Sequence, residues 1–261
     1  MLYGTAWKED RTAELVRLAL LQGFRGIDTA NQRRHYHEAA VGEAVAAFLA
    51  TGKVTREGLF LQTKFTYVRS QDERLPYDPK AGFAEQVRQS FASSLEHLQT
   101  DYVDSYLLHG PSTSGPLAWA DWEVWETMQS LKQARKIGVS NVSLAQLTEL
   151  TRKFKPAFVQ NRCYARTGWD REVRAFCRAN EITYQGFSLL TANARELSQT
   201  AVRAVVARSK RTLPQVVFRF ALQLGMLPLS GTTTAAHMSD DLHLDFELTG
   251  AEVRAIENIA G

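Results

Sequence analysis

Four titratable side chains of this 261-residue chain are placed where they could move a proton: Asp28 in GIDTA, Tyr36 in RRHYHE, Lys64 in LQTKF and His109 in YLLHGP. A phenol, with an ordinary pKa of about 10, is a poor acid at neutral pH unless a nearby cation favours its ionised form. Lys64 can supply that cation. Asp28, paired with it, would keep the ammonium charged and oriented where burial alone would drive it toward neutrality. A neutral His109 would donate a hydrogen bond to a carbonyl oxygen and fix its position. Tyr36 would then pass its proton to that oxygen as negative charge develops. No nucleophile–base pair and no metal-ligand set accompanies these residues, so hydrolysis and metal chemistry are disfavoured and no metal site is expected. Singly, each has a plain structural explanation: a capping Asp, a packed Tyr, a solvated Lys, a strand-terminating His. Convergence of all four at one mouth favours chemistry.

That convergence depends on the elements beneath. Asp28 closes the apolar run Phe24 to Ile27, Lys64 follows Leu59 to Thr63, and His109 follows Val103 to Leu108. Tyr36 lies in a polar loop ahead of a helix-patterned run from Glu38 to Leu49. Further strands are read at Leu2 to Trp7, Lys136 to Val139, Phe158 to Arg162, Ile182 to Phe187 and Met226 to Leu229, each followed by helical periodicity. Near-continuous apolar strands such as SYLL suit parallel pairing under a cover of helices. Eight such units predict an α/β fold, a closed (β/α)8 barrel in a single domain spanning residues 1–261, with catalytic groups at the carboxyl ends of its strands. An open doubly wound sheet is the alternative, but no strand runs into GxGxxG, and the first loop, YGTAW, has a single glycine. The longest polar excursion, residues 66–82 with Pro76 and Pro79, reads as a rim.

Composition narrows the classes. A hydrophobic content of 44% with 23% charged residues supports a large core. A net charge of +3 with scattered Lys and Arg argues against nucleic acid and suits an anionic small molecule. Cys163 and Cys177 lack zinc-site spacing and read as reduced, half-buried thiols. Neither a leader pattern nor a run of about 18 apolar residues is found, so a cytoplasmic protein with no membrane contact is expected, and a monomer because no long exposed apolar stripe demands a partner.

Beyond these residues, the chain resembles the aldo-keto reductases, NAD(P)H-dependent carbonyl reductases built on the (β/α)8 barrel. The resemblance is carried by GIDTA with Tyr36 and VGEA, LQTKF, DYVDSYLLHGP, KIGVSN, PAFVQNR, GFSLL and LSGTTTAAHMSDDL, which run from Gly4 to about Leu248. The family's catalytic Asp, Tyr, Lys and His fall on Asp28, Tyr36, Lys64 and His109. The interval from Asp28 to Tyr36 is longer than the family's usual one, with an insertion around Arg33 and Arg34. The resemblance also implies a nicotinamide cofactor. Ser140, Asn141 and Gln160 match its amide-binding residues, Phe187 the stacking aromatic, and Ser188 to Leu190 the pyrophosphate segment. Ser230, Gly231 and Thr232, with His237 and Asp241, fall at the adenosine end.

Two departures bear on the cofactor. Leu229 stands where NADPH-preferring members have a Lys, and the position of their Arg falls nearest Ala236 or His237. Loss of those cations removes charge-assisted contacts to a ribose phosphate, so NADPH is expected from family habit and NADH remains an alternative. Trp7, just past the first strand, is the expected pocket wall, with Trp119, Trp122 and Trp125 as further candidates. The terminal extensions around the barrel are short, which predicts a shallow, open pocket. The substrate would be an aldehyde or ketone. Two other functions keep the same barrel: a nucleotide-binding regulatory protein with little turnover, or a lyase using Lys64 as a Schiff-base nucleophile.

Overall fold

Parallel strands buried on both faces cannot leave a free edge to water, and here eight of them close on themselves in sequential order, β1 to β8, with β1 pairing both β2 and β8. The computed structural model describes residues 1–260. Its strands are β1 (Leu2–Gly4), β2 (Gly26–Asp28), β3 (Phe60–Phe65), β4 (Ser105–Leu108), β5 (Ile137–Ser140), β6 (Phe158–Arg162), β7 (Thr183–Phe187) and β8 (Leu227–Ser230). The covering helices are α1 (Thr12–Gln22), α2 (Glu38–Leu49), α3 (Phe83–Leu98), α4 (Trp119–Ser130), α5 (Leu144–Thr151) and α6 (Arg171–Ala179). After β7 come α7 (Ala194–Leu197), α8 (Thr200–Ser209) and α9 (Leu213–Gln223), and after β8 come α10 (Ala235–Leu242) and α11 (Gly250–Glu257). The (β/α)8 reading of the sequence is therefore the architecture of the chain. No described helix is long and apolar enough to cross a membrane.

The barrel interior is polar beneath the mouth. Asp28 and Gln62 are register partners on β2 and β3, and Gln160 and Gln185 are partners on β6 and β7. The two pairs meet across the axis: Gln62 Nε2 donates to Gln185 Oε1 at 2.8 Å, and Gln185 Nε2 returns a bond to Gln62 Oε1 at 2.9 Å. Bonds between opposite strands require all four side chains to point inward, where each buried amide must find a partner. Outside the barrel, α2 packs unusually close to α3. A methyl group at Gly42 would sit 1.9 Å from the His97 carbonyl oxygen, so this position of α2 admits only glycine. The buried Glu38 clips the same region, accepting from Thr63 Oγ1 and facing His97 Nδ1 at 3.0 Å.

Three expectations are corrected. Lys64 lies within β3 rather than past it, because the ladder to β4 continues through Phe65↔Leu108. The first strand ends at Gly4, since Trp7 turns into left-handed backbone at φ 62° and leaves the strand direction. Both cysteines are fully buried, and burial pushes each thiol up to about 12.

Candidate active site

β3 carries Lys64 into the barrel with no exposed surface, and its ammonium must be satisfied there. Nζ donates to Asp28 Oδ1 and to the Thr29 carbonyl, each at 2.7 Å. The same carboxylate oxygen accepts from Gln62 Nε2 at 2.7 Å and Gln160 Nε2 at 2.9 Å. Asp28 is thereby the hub that joins the glutamine cluster to the lysine. Burial lowers the Lys64 pKa, and the carboxylate opposes that shift by attraction and hydrogen bonding.

Tyr36 reaches over this pair from the β2–α2 loop. The centre of its ring lies 5.3 Å from Lys64 Nζ and 5.8 Å from the His109 ring, which meets it edge-on at 69°. Two of the three donors of Nζ go to Asp28 and Thr29, and the ammonium faces the phenol ring. In the resting site the phenol is therefore not eased toward ionisation, as the sequence argument expected. Burial first, and Asp28 second, push its pKa well above the ordinary value, with Arg162 the opposing charge. His109 meets the expectation of neutrality: burial, then Lys64 and His35, push it down to about 3. Its Nδ1 lies 2.7 Å from Thr66 Oγ1, either of which can donate. Thr66 is itself fixed by its carbonyl, which accepts from Tyr77 Oη at 2.7 Å.

A cavity of about 640 Å³ opens above these groups. Asp28, Tyr36 and His109 form part of its lining and Lys64 lies beneath it. Trp7 lines it too, 68% exposed and stacked 4.0 Å from the His35 ring. Trp119, Trp122 and Trp125 do not: Trp125 is core, Trp122 packs near Phe154 and Trp119 sits against Phe83. Ser140, Asn141, Gln160 and Phe187 form one side. Ser188, Leu190, Ser230, Gly231, Thr232, His237 and Asp241 continue it toward the β8–α10 loop.

Several of these polar groups are held by the protein as well. Ser140 Oγ donates to the Gln160 carbonyl at 2.7 Å, and Asn141 Nδ2 to the His109 carbonyl at 2.8 Å. Gln160 turns its NH2 inward to Asp28 and to Gln185 Oε1, and among the described residues no donor reaches its Oε1. Ser230 Oγ donates to Asp241 Oδ2 at 2.6 Å, and burial raises that carboxyl to about 6. Trp7, in the loop after β1, and Asn141 and Ser188, immediately past β5 and β7, all adopt positive φ, so the rim holds strained backbone of the kind concentrated at functional sites.

Sequence reasoning missed several participants. Gln62 and Gln185 look like polar interruptions of strands until the barrel closes. Thr66 gave no signal beyond lying in TKFT. Lys8 projects from the β1–α1 loop, donates to the Gly231 carbonyl and makes no salt bridge among the described residues. Arg162 covers the Phe187 ring at 5.4 Å.

The cavity has the parts a nicotinamide nucleotide needs: an aromatic face at Phe187, an open amide oxygen at Gln160, and an ammonium at Lys8 against Gly231 in the β8–α10 loop. Such a mouth, at the carboxyl ends of the strands of a (β/α)8 barrel, lies where enzymes of this fold carry their active sites. The family model described as Aldo/keto reductase family matches residues 1–260. An aldo-keto reductase of Mycolicibacterium vanbaalenii is 32% identical over 98% of this chain and 86% of its own length. Human aldo-keto reductase family 1 member C2 is 27% identical over 96% of this chain and 83% of its length. The crystal structure of a Bombyx mori aldo-keto reductase in complex with NADP superposes with a TM-score of 0.82, at 26% identity over 99% of this chain and 88% of that one. The chain belongs to the aldo/keto reductase family of nicotinamide-dependent oxidoreductases.

Proposed function

We propose that this protein reduces an aldehyde or ketone to the alcohol with NADPH, using Tyr36 as proton donor. The observation that carries the proposal is the stack of Asp28, Lys64 and Tyr36 beside a neutral His109, opening into one nucleotide-sized cavity. When bound, the reduced nicotinamide supplies a hydride to the carbonyl carbon. The protein's task is the other half of the reaction, at the oxygen.

His109 orients that oxygen. With Thr66 donating to Nδ1, Nε2 carries the proton and points its N–H at the substrate. Tyr36 holds its proton firmly in the resting site, yet an oxygen acquiring alkoxide character is a stronger base than any phenolate, so transfer runs downhill once charge develops. The ammonium of Lys64, itself without exposed surface, then stabilises the phenolate left behind. Asp28 keeps that ammonium in place. For the nucleotide, Gln160 Oε1 and the Ser140–Asn141 segment serve the carboxamide and Phe187 the ring. Ser188 to Leu190 follow the pyrophosphate. Ser230 to Thr232, His237, Asp241 and Lys8 hold the adenosine end, where Lys8 and His237 take the place of the absent cations.

A Schiff-base lyase is the poorer reading, because Lys64 has no exposed surface and already donates two short hydrogen bonds. The test is oxidation of NADPH in the presence of a panel of aldehydes, followed by nicotinamide absorbance. Aldehyde-dependent oxidation is expected. Nucleotide binding without turnover of any aldehyde, with NADPH or NADH, would instead favour a regulatory barrel.

A further inference from the structure

A second cavity, of about 690 Å³, opens at the same mouth and shares His35, His109 and Asn141 with the first. Its lining contains no Asp or Glu, and it contains two arginines, Arg34 and Arg69. Neither has a carboxylate partner among the described residues. Arg34 makes no hydrogen bond to the protein, and Arg69 spends one donor, Nη2, on the Pro111 carbonyl at 2.5 Å. Their neighbours are different. Arg74 is paired with Asp72, and Asp121, behind Tyr67, is buried and accepts from Tyr67 Oη, Ser112 N, Ser112 Oγ and Ala118 N.

The two arginines stand on loops that are braced together. Gln32 Nε2 donates to the Ser70 carbonyl at 2.7 Å, and Gln71 Nε2 donates to the Asn31 carbonyl at 2.9 Å. The braces fix the backbone that carries the two cations, so that binding has the two side chains to order and not the loops. Burial and then Arg34 lower the pKa of the intervening His35, with Asp72 opposing them. Guanidinium groups without a carboxylate partner, in a cavity lined by no acid, match the paired oxygens of a carboxylate or phosphate and draw it in from solution.

We propose that this second cavity receives the body of the carbonyl substrate and that Arg34 and Arg69 bind an anionic group on it, so that the substrates are acidic aldehydes or ketones bearing a carboxylate or phosphate. The proposal rests on the reductase reading above and names its substrate class.

The experiment compares kcat/KM for 4-oxobutanoate against butanal, and for glyceraldehyde 3-phosphate against glyceraldehyde, in the wild type, Arg34→Gln and Arg69→Gln. The wild type should prefer the acidic member of at least one pair by about tenfold, the value of one good charge-assisted contact. Preference confined to one pair supports the inference and identifies the anion. The preference should fall by roughly the same factor in Arg34→Gln, mostly through KM for the acidic substrate, and should shrink as salt is raised. Arg34 has no protein bond to lose, so this variant separates binding from folding; Arg69→Gln adds the second cation. Turnover of the neutral aldehydes with no preference for the acidic ones, or a preference untouched in both variants, overturns the inference and leaves the reductase reading standing. No turnover of any of the four with NADPH or NADH overturns both.

Discussion

Replacing Asp28 with Asn removes one charge and little volume, and its consequences can be worked out from the contacts of Lys64. In the wild type Nζ is fully buried between Asp28 Oδ1 and the Thr29 carbonyl. The variant leaves a buried ammonium with neutral acceptors only, a change that costs about 3–5 kcal/mol. The protein can limit the damage by releasing the proton. At about 1.4 kcal/mol for each pH unit below the unfolded value of 10.5, release costs about 5 kcal/mol at pH 7 and under about 1 kcal/mol at pH 10. The sign follows: burial lowers the Lys64 pKa already in the wild type, and loss of the carboxylate that opposes this lowers it further in the variant, so over a wider range below pH 10.5 the unfolded chain binds more protons than the folded variant. Stability of the variant therefore rises with pH, and its deficit against the wild type narrows. Urea unfolding of both proteins, followed by tryptophan fluorescence at pH 7 and pH 9.5, reads this directly. A deficit below about 1 kcal/mol at pH 7, or one that widens at pH 9.5, would show that the charge pair does not hold this part of the barrel together.

Gly42→Ala places a methyl group against the backbone of His97 and Leu98, with no flexible side chain to yield, so the urea midpoint should fall by at least the usual overpacking cost of about 1–3 kcal/mol. An unchanged midpoint would mean that α2 and α3 separate freely. His109, held down to about 3, should show no imidazole titration by NMR between pH 5 and 8, and a midpoint near 6.5 would contradict its burial. Because its folded pKa is depressed, His109 stays neutral while the unfolded chain takes up a proton, so stability falls as pH drops from 6.5 toward about 3. Lys8→Gln should raise KM for NADPH more than for NADH if the ammonium beside Gly231 serves the ribose phosphate. Equal effects on the two nucleotides would assign it to the shared pyrophosphate.

Much of this was legible in residue order because the barrel repeats one simple pattern. Apolar runs bounded by polar residues marked all eight strands, and Glu38–Leu49 was read with the bounds α2 has. Asp28, Tyr36 and His109 could be placed because each falls at a strand end or in the loop beyond it. What could not be read depends on contacts between strands distant in sequence. Gln62, Gln160 and Gln185 become one network only when β3 faces the adjacent pair β6 and β7 across the axis. Lys64 looked like a residue of the mouth because a buried lysine has no sequence mark apart from its partner. The raised pKa of Tyr36 follows from the depth at which the loop seats it, a tertiary fact that residue types do not carry. The arginine-lined second cavity likewise arises where two loops some 35 residues apart fold toward one another.

The central claim is that the hydroxyl of Tyr36 delivers the proton, and Tyr36→Phe removes that oxygen while keeping the ring against Lys64 and His109. Single-turnover aldehyde reduction, measured beside NADPH affinity in the same preparation, separates chemistry from binding. The account predicts that affinity is retained within about twofold while reduction slows by a factor of about 100 or more. Reduction at a rate close to that of the wild type would contradict it.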